Sequence, residues 1–385
     1  MPTPRDRMAR VGTFVVFAVQ GLSLATVLTQ VETQQTKHHL DTGELTLILL
    51  IVPVLAGVGS LAAGALAARR GSRWLLRLAQ PTVAVAVVAT GFAPTVPVLL
   101  AALVLFGLGV GAVDAGMNMQ GVAIERRYGR AVLNGFHCMG SAAALAGALW
   151  AVLAARLELG LAVTTALPMA LAVAGCVASG PLLCPPEDDL RAASTPVRLP
   201  WRPIVPLCLA MGFLYVGDAA VSNFSAVYMA DALKAPPAGV ALAYTAYQAA
   251  TLAVRLCGDL VVRRFGPAAV VGFGGVLATL GFAGVVAAPT VTAAVVAFGL
   301  TGVGLSVVAP QAFSAAGRLD PAGSGVAVAR VNLFNYVGFV AGAAAVGGLA
   351  DLTDPKTAFA VPMALAAAVV LLARGFAPRT TRFTG

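Results

Sequence analysis

The sequence predicts an all-α integral membrane protein of twelve transmembrane helices in two pseudo-symmetric six-helix halves. Three observations predict it. The 385 residues are 59 % hydrophobic and only 11 % charged, with a mean hydropathy of +0.89. A soluble domain carries roughly 25 % charged residues, so this chain has too little charge to cover a water-facing surface. That argues against a soluble enzyme, a disordered chain, a collagen-like chain and a disulfide scaffold. Apolar runs of membrane-spanning length, about 20 residues, recur along the chain, and twelve of them leave about 32 residues for each span and its connection. Finally, a polar, proline-rich stretch lies near the middle, between segments whose ends repeat.

In chain order the spans fall at 11–31, 43–68, 75–93, 97–119, 131–155, 160–183, 203–230, 238–262, 267–287, 290–314, 324–350 and 357–374. The first is longer than the apolar core of a signal peptide and lacks a small-residue cleavage site. The second ends in Gly64-Ala-Leu-Ala-Ala-Arg69-Arg70-Gly71. In the fourth, Gly107, Gly111, Asp114 and Asn118 share one helical face, where small residues let helices approach. The sixth runs out into Cys184-Pro-Pro-Glu-Asp-Asp. The connection 184–202 then separates an N-terminal half, 1–183, from a C-terminal half, 203–385. The eighth ends in Gly258-Asp259-Leu-Val-Val-Arg263-Arg264-Phe-Gly266, repeating the end of the second. The glycines between Gly299 and Gly304 have no downstream Lys-Ser and no strand–helix setting, so they pack helices rather than cradle a phosphate.

The net charge is +9 and the pI about 9.8. The positive charges sit in short connections, which is a membrane pattern rather than a nucleic-acid footprint. With the N-terminus cytoplasmic, inner segments hold nineteen of the 25 Lys and Arg. Outer segments hold Lys37, Arg156, Lys234 and Lys356, and Arg255 and Arg330 lie within spans. The asymmetry predicts a multi-pass membrane protein with both termini cytoplasmic. The five cysteines suggest neither a disulfide nor a metal site, and no cofactor is expected.

These features resemble the major facilitator superfamily, whose loop after the second span follows G-x-L-A-D-R-x-G-R. Here Ala68 stands at the acidic position, while the second-half copy keeps Arg255, Gly258, Asp259 and Arg263. A narrower resemblance, to the branch of fucose-type permease-like proteins and bacterial inner-membrane permeases, rests on three segments. They are Asp114 to Arg130 with Asn134-Gly-Phe-His137, then Asp218 to Tyr228, then Asn332 to Gly342. In the middle one the branch shows E-G-x-x-x-D-W-S, and this chain has Asp218, Asn223 and Phe224. Two marks of drug antiporters, the arginine of the fourth span and a Gly-Pro pair in the fifth, are missing. The resemblance implies the superfamily fold, two halves rocking about a central site, and cytoplasmic gate residues at Arg69, Glu125, Arg255, Asp259, Arg263 and Arg330.

Ionisable groups inside a bilayer are functional candidates by default. Asp114 is the first, as a carboxyl that gains and loses a proton when water access alternates; the alternative is a structural hydrogen-bonder at a helix crossing. His137, with Asn134 and Ser141 on its face, either relays protons or packs near the gate. Asp218 is the second-half counterpart of Asp114. The eighth span carries the clearest stripe, Tyr244, Gln248, Thr251, Arg255 and Asp259, at a helical period. Its upper part is expected to line a cavity and its Arg–Asp pair to serve the gate. Gln20, Ser23 and Gln30 of the first span form a second lining. Arg330 either binds an anionic substrate or Asp114, or snorkels to the membrane surface. Gln20, Asn118, Asn223, Tyr244, Gln248, Asn335 and Tyr336 are the candidate substrate contacts. Tyr228 is expected in the outer aromatic belt.

The expectation is therefore a monomeric, proton-coupled secondary transporter of a small organic solute, not an enzyme. Its partners are that solute, protons and the lipid bilayer, with no nucleic acid and no metal. Export of an antibiotic or metabolite by antiport is the alternative to uptake. A passive facilitator and a membrane-embedded enzyme fit less well.

Overall fold

The computed structural model describes residues 2–185, 199–320 and 322–378. Most of the connection expected at 184–202 lies outside them, as do Arg191, Arg198, Arg379 and Arg382. The described residues are helical, with no strand among them. The helices are α1 (Pro4–Leu28), α2 (Val31–His38), α3 (Thr42–Arg70), α4 (Ser72–Phe92), α5 (Val96–Tyr128), α6 (Leu133–Arg156) and α7 (Leu161–Ser179). Then come α8 (Val205–Val227), α9 (Pro237–Val240), α10 (Leu242–Phe265), α11 (Pro267–Ala287), α12 (Val291–Leu305) and α13 (Val308–Leu319). The last are α14 (Val326–Leu352), α15 (Pro355–Ala358) and α16 (Ala360–Leu372).

Eleven of the expected spans are helices long and apolar enough to cross a membrane. The remaining one, α10, has 24 residues, about 36 Å at 1.5 Å per residue. Its polar stripe lowers its hydropathy without shortening it, so twelve spans remain consistent with the structure. Large apolar side chains such as Leu371 (81 % exposed), Val177 (72 %) and Leu256 (71 %) stand outward, as a lipid-facing surface requires.

The chain divides into two compact units. Unit 1 comprises Met1–Leu199 and Ala322–Val337; unit 2 comprises Pro200–Pro321 and Gly338–Gly385. The division differs from two contiguous halves at one place: the first half of α14 clusters with unit 1.

In unit 1, α5 packs on α3 and α4, and α1 packs on α6 and α7. Glycine decides how closely α5 and α3 meet. A Cβ on Gly111 would lie 1.8 Å from the Ala56 carbonyl oxygen, and one on Gly59 2.1 Å from that of Leu108. In unit 2, α11 packs on α12 and α16, and α10 packs on α12. There a Cβ on Gly302 would lie 2.4 Å from the Tyr247 carbonyl oxygen. These are backbone-to-backbone approaches that any side chain would block.

Each unit contains the same local backbone. Gly71 (φ 81°, ψ 154°) opens the 21-residue α4, and Gly266 (φ 82°, ψ 155°) opens the 21-residue α11. Only glycine adopts this positive-φ geometry at little cost, which explains the repeated glycine turn after the paired arginines. Both helices then close on the same four residues, Ala93-Pro94-Thr95-Val96 and Ala288-Pro289-Thr290-Val291. The Lys37 ammonium donates to the Ala93 carbonyl at 2.6 Å, and the Lys356 ammonium to the Ala288 carbonyl at 2.9 Å. A cation on the last carbonyls of a helix suits its dipole. Two of the three lysines of the chain thus do one job, once in each unit.

Tyr228 corrects an expectation. It is fully buried rather than in an interfacial belt. Its hydroxyl donates to the Val285 carbonyl at 2.6 Å, and its ring meets Phe298 and Phe359 edge-on. The carbonyl partner is what lets the phenol be buried.

Candidate functional site: one Asp–Tyr cluster in each unit

Asp114 is the centre of the unit 1 cluster and is 8 % exposed. Gln20 of α1 donates its amide Nε2 to Asp114 Oδ1 at 2.8 Å. Tyr336 of α14 donates its hydroxyl to Asp114 Oδ2. Both carboxylate oxygens are therefore met by neutral donors. Asn118, one turn on, donates Nδ2 to the backbone carbonyl of Asp114 at 2.8 Å. That orientation turns its Oδ1 toward His137 Nε2, 3.2 Å away. In the tautomer that protonates Nε2, His137 donates to that oxygen. The His137 ring is half-buried, edge-on to Phe17 at 5.1 Å. His137 thus reaches Asn118 and not the carboxylate itself.

A second set of ties lies one turn earlier on α14. Asn332 Nδ2 donates to Ser60 Oγ at 3.0 Å, and Ser60 Oγ donates to the Ala329 carbonyl at 3.3 Å. Arg330 donates to the Leu199 carbonyl at 2.8 Å. It is therefore not the partner of Asp114, whose carboxylate is held by Gln20 and Tyr336. Asn335 is half-buried.

The unit 2 cluster centres on Asp218, which is half-buried on α8. Tyr247 of α10 donates its hydroxyl to Asp218 Oδ1 at 2.7 Å, and the charge of Arg255 acts on both. Gln248 donates to the Tyr244 hydroxyl at 3.1 Å, and Ser222 bonds to the same tyrosine. Tyr244, Gln248 and Asn223 are exposed. Thr251 turns inward and bonds to the Gly302 carbonyl at 3.4 Å.

Of the other expected residues, Arg69 and Arg263 are exposed, and Arg255 and Asp259 are half-buried. Glu125 accepts the backbone N–H of Val132 at 3.0 Å, closing the turn between α5 and α6. Of the first-span lining, Ser23 faces Met169 of α7 at 3.6 Å, and Gln30, which precedes α2, lines a cavity with Val27 and Gln34. Sequence reasoning missed Tyr247, Ser60 and the ion pair of Arg127 with Asp6 at 2.9 Å. Tyr247 sits three residues after Tyr244, just off the polar stripe, which is why the stripe hid it.

Membrane-length helices that carry carboxyl, amide and phenol groups in their interior are those of a multi-pass membrane protein. The sequence model of the Major Facilitator Superfamily matches residues 207–384. The chain is 30 % identical to the transporter y4wD of Sinorhizobium fredii, over 93 % of this chain and 95 % of that one. It is 29 % identical to an MFS-type transporter of Yersinia pestis, over 95 % of each. The crystal structure of the superfamily transporter FucP in its outward conformation superposes with a TM-score of 0.80 at 15 % identity, over 96 % of this chain and 98 % of that one. The chain belongs to the major facilitator superfamily.

Proposed function

We propose that this transporter is a proton-coupled secondary carrier of a small, neutral, hydroxyl-rich or amphipathic solute, working by alternating access. The observation that carries the reading is the Asp114 carboxylate, buried between α1, α5 and α14 with only neutral donors on it. A lone intramembrane carboxylate is costly unless it does work, and exchanging a proton is the work it can do. His137 is the second proton group, one amide away. Asp218 sits in the field of Arg255, which supports a binding role beside Tyr244, Tyr247 and Gln248. Gln20, Asn118, Asn223, Asn335 and Tyr336 complete the polar groups available to a solute. In this reading the halves 1–183 and 203–385 rock about the linker, both termini are cytoplasmic, and the carrier acts as a monomer in the inner membrane. Arg69, Glu125, Arg255, Asp259, Arg263 and Arg330 belong to the cytoplasmic gate.

The test begins with thermal stabilisation of the detergent-purified chain against sugars and nucleosides, then against antibiotics and amphipathic metabolites. A ligand that binds only the folded state raises apparent stability with its affinity. The hit is then followed in proteoliposomes with an imposed pH gradient. Gradient-driven flux that Asp114→Asn abolishes is the expected result, and its direction decides between uptake and export. Flux indifferent to the gradient overturns proton coupling and leaves a facilitator.

A further inference from the structure

We propose that Tyr336 is a latch: its phenol holds the Asp114 carboxylate, and arrival of a proton there frees the first half of α14. This rests on Asp114 being the coupling group and adds what its proton moves. It makes Tyr336 a positioning residue in addition to a polar group available to the solute.

The seam between α3 and α14 is built to hold lightly. Ala329, Asn332 and Tyr336 fall at i, i+3 and i+7, so they share one face of α14. Opposite them on α3 stand Gly57, Ser60 and Gly64 at the same kind of spacing. Small residues bring the helices close: a Cβ on Gly64 would lie 2.7 Å from that of Ala329. The polar ties across the seam are neutral, Asn332 to Ser60 and Ser60 to the Ala329 carbonyl. Each is a modest, charge-free bond. The Tyr336 bond differs, because its acceptor carries a charge. Hydrogen bonds to an ionised group are about twice as strong as neutral ones. It is therefore the tie whose strength a single proton changes.

The groups around the carboxylate leave that proton little else to act on. From α1 it meets Gln20, and from α14 it meets Tyr336. His137 of α6 stops at Asn118, and Arg330 is held by the Leu199 carbonyl. The seam also carries an unmet group. Asn332 is 1 % exposed, and its Oδ1 has no partner. A buried acceptor left unpaired is costly, which favours a second arrangement in which it is satisfied. Finally, Tyr336 lies at the edge of the division of α14, where Val337 ends the unit 1 portion and Gly338 begins the unit 2 portion.

The experiment needs no substrate. Amide hydrogen exchange of residues 326–337 is followed by mass spectrometry in the full-length detergent-purified protein, from about pH 8 to about pH 5, corrected for intrinsic exchange. The wild type should exchange about tenfold faster at the acid end, the factor that corresponds to about 1.4 kcal/mol. Asp114→Asn and Tyr336→Phe should exchange fast at both ends, so the pH ratio falls to one. Asn332→Leu should speed exchange at both ends and keep the ratio, which separates a loosened seam from a lost latch. A wild-type ratio of one, or a ratio that survives Asp114→Asn, overturns the latch, whereas Asp114 as the coupling group falls only if gradient-driven flux survives Asp114→Asn. A ratio abolished by Asp114→Asn but kept in Tyr336→Phe overturns the latch alone.

Discussion

The two Asp–Tyr clusters use one chemical pair in two electrostatic settings. In unit 1, Asp114 receives Tyr336 and Gln20, both neutral, and is 8 % exposed. In unit 2, Asp218 receives Tyr247 but is half-buried and lies in the field of Arg255. A charge without a counter-charge in a low-dielectric bundle is held at the expense of stability, and a nearby opposite charge lessens that cost. The proposed function places labile protonation in the first cluster and binding in the second.

The largest way to break the comparison is to move the helices that carry it. Gly111 lies three residues before Asp114, against the Ala56 carbonyl. Gly302 lies against the carbonyl of Tyr247 itself. Gly111→Ala and Gly302→Ala should each cost at least about 3 kcal/mol, because a carbonyl oxygen on a packed helix cannot yield as a flexible side chain can. Gly348→Ala, with nothing within 4 Å of its added Cβ, is the control and should stabilise by about 0.5–1 kcal/mol. Thermal midpoints in one detergent check all three. Equal midpoints for Gly111→Ala and Gly348→Ala would mean that the clusters do not depend on these crossings.

Next come the carboxylates, read on whichever solute first stabilises the protein. Asp114→Asn should leave ligand stabilisation within about threefold and remove gradient-driven accumulation. Asp218→Asn should weaken ligand stabilisation by about tenfold or more, since it leaves Tyr247 only a neutral acceptor and removes the negative charge near Arg255. If the two variants behave alike, the difference in setting has no functional consequence. Smaller effects follow from the ties that the units share. Lys37→Met and Lys356→Met should each lower stability by about 1 kcal/mol, by similar amounts, as one neutral-acceptor bond at a helix end suggests. A difference of more than about 1 kcal/mol between them would show that the repeat is one of geometry and not of energy.

How much of this was legible depends on what a sequence can encode locally. Asp114 announces itself, because a charge within an apolar span is costly wherever it faces. Gly107 and Gly111 follow from helical spacing, and the twelve spans from composition. The partners do not follow. Gln20 and Tyr336 lie 94 residues before and 222 residues after Asp114, and which side chain meets which depends on the register of packed helices. The same blindness placed Tyr228 in an interfacial belt, since a tyrosine near the end of a span looks alike whether its hydroxyl finds water or the Val285 carbonyl. The bond of Arg330 to the Leu199 carbonyl, 131 residues away, was equally out of reach of the sequence. The lysine ties were hidden in another way. Lys37 and Lys356 counted only as outer charges, although the four residues Ala-Pro-Thr-Val that each closes on stand twice in the sequence.

The finest contrast lies beside Lys356. Asp354 caps α15, accepting the backbone N–H groups of Lys356 at 2.8 Å and Thr357 at 3.1 Å, and the Thr357 hydroxyl. These bonds hold its carboxyl below the usual value of 3.8, the Thr357 hydroxyl first among them and the Lys356 charge last. A depressed carboxyl contributes stability above its unfolded value, and that contribution fades as the pH falls through the folded value. Wild type should therefore exceed Asp354→Asn in thermal midpoint above about pH 4, and the two should converge below it. Thr357→Val should remove most of that pH-dependent difference. Lys356→Met should leave it nearly intact, because the ammonium is committed to the Ala288 carbonyl. If Lys356→Met erases the difference instead, the cap acts through charge. The lysine ties of the two units would then not be equivalent, since no cap of this kind stands beside Lys37 in α2.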